Sequence, residues 1–343
     1  MSRSVPLAPL TTFGLGGPAL SFAEVRETSD LTSALDWARG MGLPVFILGG
    51  GSNLVVADEG FAGLVLRLRT RGRRWSEQGR ELVVEAAAGE AWDDVVADAV
   101  ARNAAGIECL SGIPGSAGAA PVQNIGAYGQ EVASVVRQVR VLDRRSLEER
   151  WLDADACGFG YRDSIFRRKP ERFVILSVAL GLAKDGAPSL RYPELAAAVG
   201  ASPPLGAVRD AVLALRRKKG MVVDAADPDS RSVGSFFTNP IVGAAVADEI
   251  AARAGAEMPR YPLPDGRVKL AAAWLIERAG IAKGLRMGPV GVSAKHALAL
   301  VHHGGGKTAD LLRLARHVRQ TVFDRFGVSL VPEPVFLGVA WPG

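Results

Sequence analysis

Residues Cys109–Tyr128 read CLSGIPGSAGAAPVQNIGAY. Gly112, Gly115, Gly118 and Gly126 recur there among small residues and proline, a composition too poor in apolar bulk for core and too regular for a disordered linker. Glycine accepts positive φ and lets main-chain N–H groups approach a ligand closely, so such a loop suits a pyrophosphate or a flat ring. A second loop lies upstream in PVFILGGGSNLVV, where a strand at Val45–Leu48 runs into Gly49, Gly50, Gly51, Ser52 and Asn53. Asn53 is followed by the strand-like Leu54, Val55 and Val56 rather than by a helix, so the dinucleotide fingerprint and a Rossmann fold are disfavoured. Alone, a strand ending in GGGS is an ordinary turn. Two such cradles in one chain imply one large phosphorylated cofactor.

At 343 residues, with 48% apolar and 22% charged residues, the chain is expected to form two or three ordinary globular domains. The net charge of +5 admits an anionic partner, but the basic residues are scattered and aromatics make up only 6%, few for base stacking. Anionic small molecules are therefore expected rather than nucleic acid. Cys109 and Cys157 are too few for a disulfide framework or a zinc site, and the four histidines show no metal-ligand spacing. They read as buried thiols in a reducing compartment, with no metal. No signal-like or membrane-length apolar run is visible, so a soluble, cytoplasmic protein without a membrane partner is expected.

From Leu20 to Leu68 the pattern is strand, helix, strand, glycine loop, strand, with Leu31, Ala34, Leu35 and Ala38 on one helix face and Ser29 or Asp30 as its cap. A strand at 81–88 and a helix at 91–104 follow, the latter turning Trp92, Val95, Val96 and Ala99 inward. Alternation at 132–142 and 173–182 reads as β-structure. Prolines at 193, 203 and 204 interrupt the chain, and a domain boundary is placed there, before a helix at about 205–219. Helices at 242–254, 271–279 and 308–326, a strand at 297–302 and a final strand at 328–339 complete the reading, which is α+β.

Several polar residues admit two readings. Arg162, in Tyr161-Arg162-Asp163-Ser164, is either a solvated arginine or one held by Asp163 or Tyr161 that presents its planar fork to a carboxylate. Ser235, in GSFFTNP, sits either in a core turn or in a dry pocket with Asn239 as a neighbouring hydrogen-bonding group. No nucleophile elbow surrounds it, which leaves proton donation open. Arg216–Lys219 is either the solvated end of a helix or a site for phosphate or carboxylate. Glu333, between Pro332 and Pro334, is rigid for a surface glutamate.

Taken in order, TTFGLGG, FILGGGSNLVV, GIPGSAGAAPVQNIGAYG, YRDSIF, KKGMVVD, GSFFTNP, KLAAAWLIERAG, VSAKHALALV and LVPEPVFLG resemble the motifs of UDP-N-acetylenolpyruvoylglucosamine reductases over nearly the whole chain, from Thr11 to Gly338. The resemblance implies an FAD-binding half of the vanillyl-alcohol-oxidase (PCMH) type at 1–204, in subdomains of about 1–68 and 69–204. It also implies an α+β substrate-binding domain at 205–327 and a C-terminal strand, 328–343, bringing Glu333 to the active site. The implied reaction is NADPH-dependent reduction of UDP-N-acetylglucosamine enolpyruvate to UDP-N-acetylmuramate in peptidoglycan precursor synthesis, through non-covalent FAD. Gly49–Asn53 would lie on the pyrophosphate, and Gly115, Ser116, Asn124, Ile125 and Gly126 around the flavin. Arg162 and Glu333 would stabilise charge on the carboxylate end of the substrate, and Ser235 would donate a proton, its acidity raised by Lys219. Tyr128, Tyr192, Lys219, Asn239 and His296 would bind substrate, Tyr192 from a loop of the family's longer subtype. The chain departs from the family pattern in Gly220–Asp224, where many members read L-P-D-P, and in His296, where others have glutamine. An oxidase on the same fold has no need of Arg162, Ser235 and Glu333, and a nucleotide-binding module without chemistry would not be yellow. A monomer with only small-molecule partners is expected.

Overall fold

The computed structural model describes residues 1–341. They form two compact units. The first comprises Met1–Val5, Ala19–Gly51 and Ala62–Val222, and the second Pro6–Pro18, Ser52–Phe61 and the chain from Val223 onward.

In the first unit, the strands Ser2–Pro6, Pro18–Val25, Phe61–Leu68 and Val45–Leu48 form one sheet in that order. Val45–Leu48 runs parallel to Phe61–Leu68, with Val45 opposite Leu64 and Leu48 opposite Arg67. Helix Thr28–Gly40 buries Leu31, Ala34, Leu35 and Ala38, as their spacing requires. Its cap is Glu27 rather than Ser29 or Asp30. Asp30 instead closes a capping box, its carboxylate accepting from the Glu27 N–H at 3.3 Å.

A second, antiparallel sheet runs in the order Glu149–Asp153, Val136–Asp143, Phe173–Lys184, Glu81–Ala87, Arg73–Gln78. Its central strand is buried from Val174 to Leu182, so both faces are covered. Helix Trp92–Ala101 buries Trp92, Val95, Val96 and Ala99. Leu31, Leu64 and Leu66 share one hydrophobic core with Val84, Trp92 and Val178. The two sheets are thus joined by a continuous core across the division expected near residue 68.

The break between the units falls at Val222/Val223 rather than at 204/205. Helix Leu205–Lys218 belongs to the first unit because Val208 and Val212 pack with Cys109 and Leu195. Arg209 adds a two-pronged ion pair to Asp93, at 2.7 and 2.8 Å. Of the prolines that suggest a boundary, Pro193 starts a short helix, Pro193–Val199, where its missing N–H leaves no hydrogen bond unmade, and Pro204 caps helix Leu205–Lys218.

In the second unit, helix Thr308–Phe326 has the bounds expected from sequence and buries Leu311, Leu314, Ala315, Val318 and Val322. Two three-stranded sheets accompany it, Ile241–Gly243 with Arg267–Leu270 and Arg260–Pro262, and Arg286–Met287 with Val290–Val292 and Leu300–His302. Leu54–Val56 pairs in parallel with Val335–Leu337, Leu54 lying opposite Val335. The long final strand expected at 328–339 is therefore only Val335–Leu337. Pro332 and Pro334 have no N–H for a ladder, so the preceding stretch makes an isolated bridge, Phe237 to Pro332, flanked by single hydrogen bonds. The last two residues of the expected 328–343 span lie outside the described residues. No helix among the described residues is long and apolar enough to cross a membrane.

Asp93 ties two helices to the glycine-rich stretch, since Oδ1 also accepts from the Gly112 N–H at 2.6 Å. Burial raises its pKa, but the Arg209 and Gly112 hydrogen bonds and the Arg209 charge outweigh burial and hold the carboxyl below its ordinary value. A depressed carboxyl pKa stabilises the fold fully above the unfolded value of about 3.9, and that stability is lost as pH falls through the folded value. Asp93→Asn is expected to lower the urea midpoint near neutral pH. The gap to wild type should close only as pH drops below about 3.9. A gap that stayed constant with pH would show that the charge of Asp93 contributes nothing.

Candidate active site

The two glycine loops lie against each other within the first unit. A Cβ on Gly49 would lie 2.7 Å from Ser116 Oγ, and one on Gly50 would lie 2.6 Å from Gly115 Cα. Close approach to the second loop by itself requires glycine at these two positions. The second loop is fixed from beneath by the Ala117 N–H on Glu90 O and the Gly118 N–H on Ala88 O, both at 2.9 Å. Ser52 and Asn53 belong to the second unit. There the Val335 N–H donates to Asn53 O at 3.0 Å, and the Asn53 amide donates to Glu333 O at 3.4 Å.

Arg162 is built into the end of the second loop. Its Nη1 donates to Asn124 O at 3.1 Å and its Nη2 to Gly126 O at 2.8 Å. A Cβ on Gly126 would lie 3.2 Å from that Nη1 and 2.8 Å from Gln130 O. Asn124 is itself locked, its amide donating to Glu131 Oε2 and Gly160 O and its Oδ1 accepting from the Ala133 N–H. The neighbouring Ile125 is buried and donates its N–H to Ala120 O at 3.1 Å. Of the two partners considered from sequence, Tyr161 lies 5.6 Å from the Arg162 guanidinium, whereas Asp163 pairs with Arg168. Asn124, Tyr128 and Arg162 all hold positive φ, at 44°, 48° and 53°. Non-glycine residues adopt that region at a cost of order 1–3 kcal/mol each, and such strain concentrates at functional positions.

Tyr128, Tyr192 and Lys219 are brought together. The two tyrosine rings meet edge to face at 5.2 Å, and Lys219 Nζ lies 5.7 Å from the Tyr128 ring. Burial pulls the Lys219 pKa down, but the hydrogen bond to Glu194 together with the charges of Tyr128, Glu194 and Tyr192 outweighs it and the net shift is upward. Burial raises the Tyr128 hydroxyl pKa, with Lys219 and Arg216 opposing it. Arg216, the first of the basic run, buries its Nε without a hydrogen-bond partner among the described residues, while one Nη donates to Met221 O at 2.8 Å. That orphaned donor is the strongest local sign of a ligand acceptor. Sequence gave only the charge cluster, because burial of one nitrogen leaves no trace in composition.

Ser235 and Glu333 lie in the second unit, as do Asn239 and His296, whereas Arg162 lies in the first. Phe236 links the first pair: its carbonyl accepts from the Glu333 N–H at 2.8 Å, and its own N–H donates to Leu298 O at 2.8 Å. Ser235 bridges Ala299, whose N–H donates to His296 O at 3.0 Å. The Leu298 N–H donates to His296 Nδ1 at 3.1 Å, so the neutral ring carries its hydrogen on Nε2. Asn239 Oδ1 accepts from the Ala272 N–H at 2.9 Å, at the start of helix Ala272–Arg278. Sequence reading missed Asp229 and Ser293, both buried and 2.8 Å apart. Ser293 Oγ accepts from the Lys295 and His296 N–H groups and so shapes the His296 turn.

Residues 19–147 match the FAD binding domain family, and residues 227–337 match the UDP-N-acetylenolpyruvoylglucosamine reductase C-terminal domain family. The UDP-N-acetylenolpyruvoylglucosamine reductase of Thermobifida fusca is 50% identical over 98% of this chain and 98% of its own length. That of Streptomyces coelicolor is 49% identical over 98% of this chain and 90% of its own length. The crystal structure of the Thermus caldophilus reductase superposes with a TM-score of 0.68 at 25% identity, covering 98% of each chain.

The residues present fit FAD. Arg216 Nε, 3.5 Å from where a Gly112 Cβ would stand, offers a buried donor beside the second loop. Cys109 borders that loop, but burial and the nearby Glu108 push its thiol pKa up to about 12, so it supplies almost no thiolate for a covalent link. Acid precipitation of the holoprotein is expected to release all the yellow colour into the supernatant. Iodoacetamide at mildly alkaline pH should leave Cys109 unmodified until the chain unfolds. Colour retained on the pellet would contradict this.

Proposed function

This chain belongs to the UDP-N-acetylenolpyruvoylglucosamine reductase family, and from that premise we propose how its residues divide the reaction. The enzyme reduces UDP-N-acetylglucosamine enolpyruvate to UDP-N-acetylmuramate in peptidoglycan precursor synthesis, with NADPH as hydride donor. Bound FAD, held by Gly49–Asn53 and the Gly115–Gly126 loop, would supply the hydride transfer from NADPH to the enolpyruvyl group.

Hydride addition leaves negative charge spread toward the substrate's carboxylate, and fixed donors aimed at that charge stabilise it. Arg162 pairs with the carboxylate. Glu333, protonated or bridging, hydrogen-bonds the developing enolate. Ser235 Oγ–H gives its proton to the carbon that bears the ether oxygen, which yields the lactyl ether. A serine hydroxyl is a weak acid, but an enolate carbon is a strong base. Tyr128, Tyr192 and Lys219 bind the diphosphate end of the UDP-sugar, and Asn239 and His296 contribute polar contacts to it. Gly49–Asn53 and the Gly115–Gly126 loop hold the cofactor. A monomeric, cytoplasmic enzyme is the assembly in which we place these roles.

The observation that carries this assignment is the double carbonyl clasp on Arg162. A guanidinium tied by Asn124 O and Gly126 O is oriented in advance, which is what two-pronged recognition of a carboxylate by a planar fork requires. Arg162→Lys keeps the charge and loses the fork. Bleaching of the bound flavin by NADPH is expected to survive, while recovery of colour on adding substrate slows by about 10²-fold, the scale of losing one oriented donor. Equal slowing of both half-reactions would make Arg162 a structural residue.

A further inference from the structure

Tyr192, Glu194 and Lys219 all lie in the first unit, Tyr192 and Glu194 at the start of helix Pro193–Val199. That helix does not need Glu194 to hold its place. Leu195 is fully buried with Cys109, Val208 and Val212. The segment leading into the helix is tied by Ser189, whose N–H donates to Glu108 Oε1 at 2.9 Å and whose carbonyl accepts from Cys109 Sγ at 3.3 Å. Glu108, also fully buried, accepts from Gln130 Nε2 and from the Gly106 N–H, each at 2.7 Å. Beside these anchors an ion pair between side chains 41% and 28% exposed adds little stability.

What Glu194 does alter is the charge presented by Lys219. Its Oε2 accepts from Lys219 Nζ at 2.7 Å, which occupies one of three ammonium donors and neutralises the cation. The same ammonium faces the Tyr128 ring, against which Tyr192 stands. A second anion arriving at Lys219 would share the cation with a carboxylate of like sign. Glu194 is exposed enough to swing into water without moving the helix.

We propose that Glu194 is an internal competitor for Lys219, its carboxylate occupying the ammonium in the substrate-free chain until the diphosphate of the UDP-sugar displaces it. The proposal rests on the reading of Lys219 as a substrate ligand. Closure of the pair lowers apparent affinity by the fraction of chains in which Lys219 is taken. It also favours ligands with enough negative charge to displace a carboxylate, and so acts as a filter for diphosphate-bearing sugars.

The test is calorimetric titration of UDP-N-acetylmuramate onto the holoenzyme, together with KM for the enolpyruvyl substrate. Glu194→Gln should lower Kd and KM by about three- to five-fold, the range of one exposed ion pair, with the single-turnover rate at saturating substrate unchanged. Lys219→Met should raise both constants, and adding Glu194→Gln to it should change nothing more. If Glu194→Gln raises Kd or leaves it unchanged while Lys219→Met raises it, the competitor role is wrong and Glu194 is a brace or a bystander. If Lys219→Met itself leaves Kd unchanged, the underlying reading of Lys219 fails, and the proposal fails with it.

Discussion

Two backbone carbonyls, Asn124 O and Gly126 O, hold the guanidinium of Arg162, and much of the first unit's functional geometry follows from that clasp. It requires a residue without a side chain at 126, because a Cβ there would crowd both the guanidinium and Gln130 O. It also requires the loop to turn at Asn124, which adopts positive φ and spends its whole side chain on fixing that turn. Farther back, the loop is pinned at Gly112 by Asp93, which pairs with Arg209 on the helix that ends in Lys218. Lys219 follows as that helix's C-cap. The expected anion-binding residues Arg162 and Lys219 are thus carried by one loop and one helix that hydrogen bonds tie together.

In the second unit a comparable part falls to Phe236, fully buried against Phe237, Phe336 and Trp341 with ring centroids 5.1–6.5 Å apart. Burying such a ring stabilises the fold by roughly 1.5–3 kcal/mol. Its two backbone groups are then available to fix neighbours. The N–H goes to Leu298 O, and the carbonyl receives the Glu333 N–H. Ser235 and Glu333 take their places from an aromatic residue that performs no chemistry.

The elements with a strong period were legible in the sequence. Helix Thr308–Phe326 and the inward faces of Trp92–Ala101 and Thr28–Gly40 follow from apolar spacing alone. A boundary at 204/205 looks plausible from prolines 193, 203 and 204 because a proline that starts a helix and one that ends a domain look alike until the buried partners of Leu195 and Val208 are known. The short final strand was misread for the opposite reason, since apolar alternation continues through prolines that cannot join a ladder. At the site, residue types leave Arg162 open between a solvated and a functional arginine and only the family resemblance selects it, because its carbonyl partners are 36 and 38 positions away and leave no local signal. The pairing of Glu194 with Lys219 has no signal in the sequence, because an exposed glutamate in a first helical turn is what any helix would carry.

The account stands most directly on Ser235 as the proton source. Holoenzyme reduced anaerobically with one equivalent of NADPH would be mixed with the enolpyruvyl substrate, and the return of flavin absorbance followed in a single turnover. Ser235→Ala should bleach normally with NADPH and then recover slower than wild type by several orders of magnitude, while Ser235→Cys, which keeps an acidic proton, regains part of the rate. Recovery of Ser235→Ala at close to the wild-type rate would mean that water or Glu333 delivers the proton, and would contradict the role assigned to this serine.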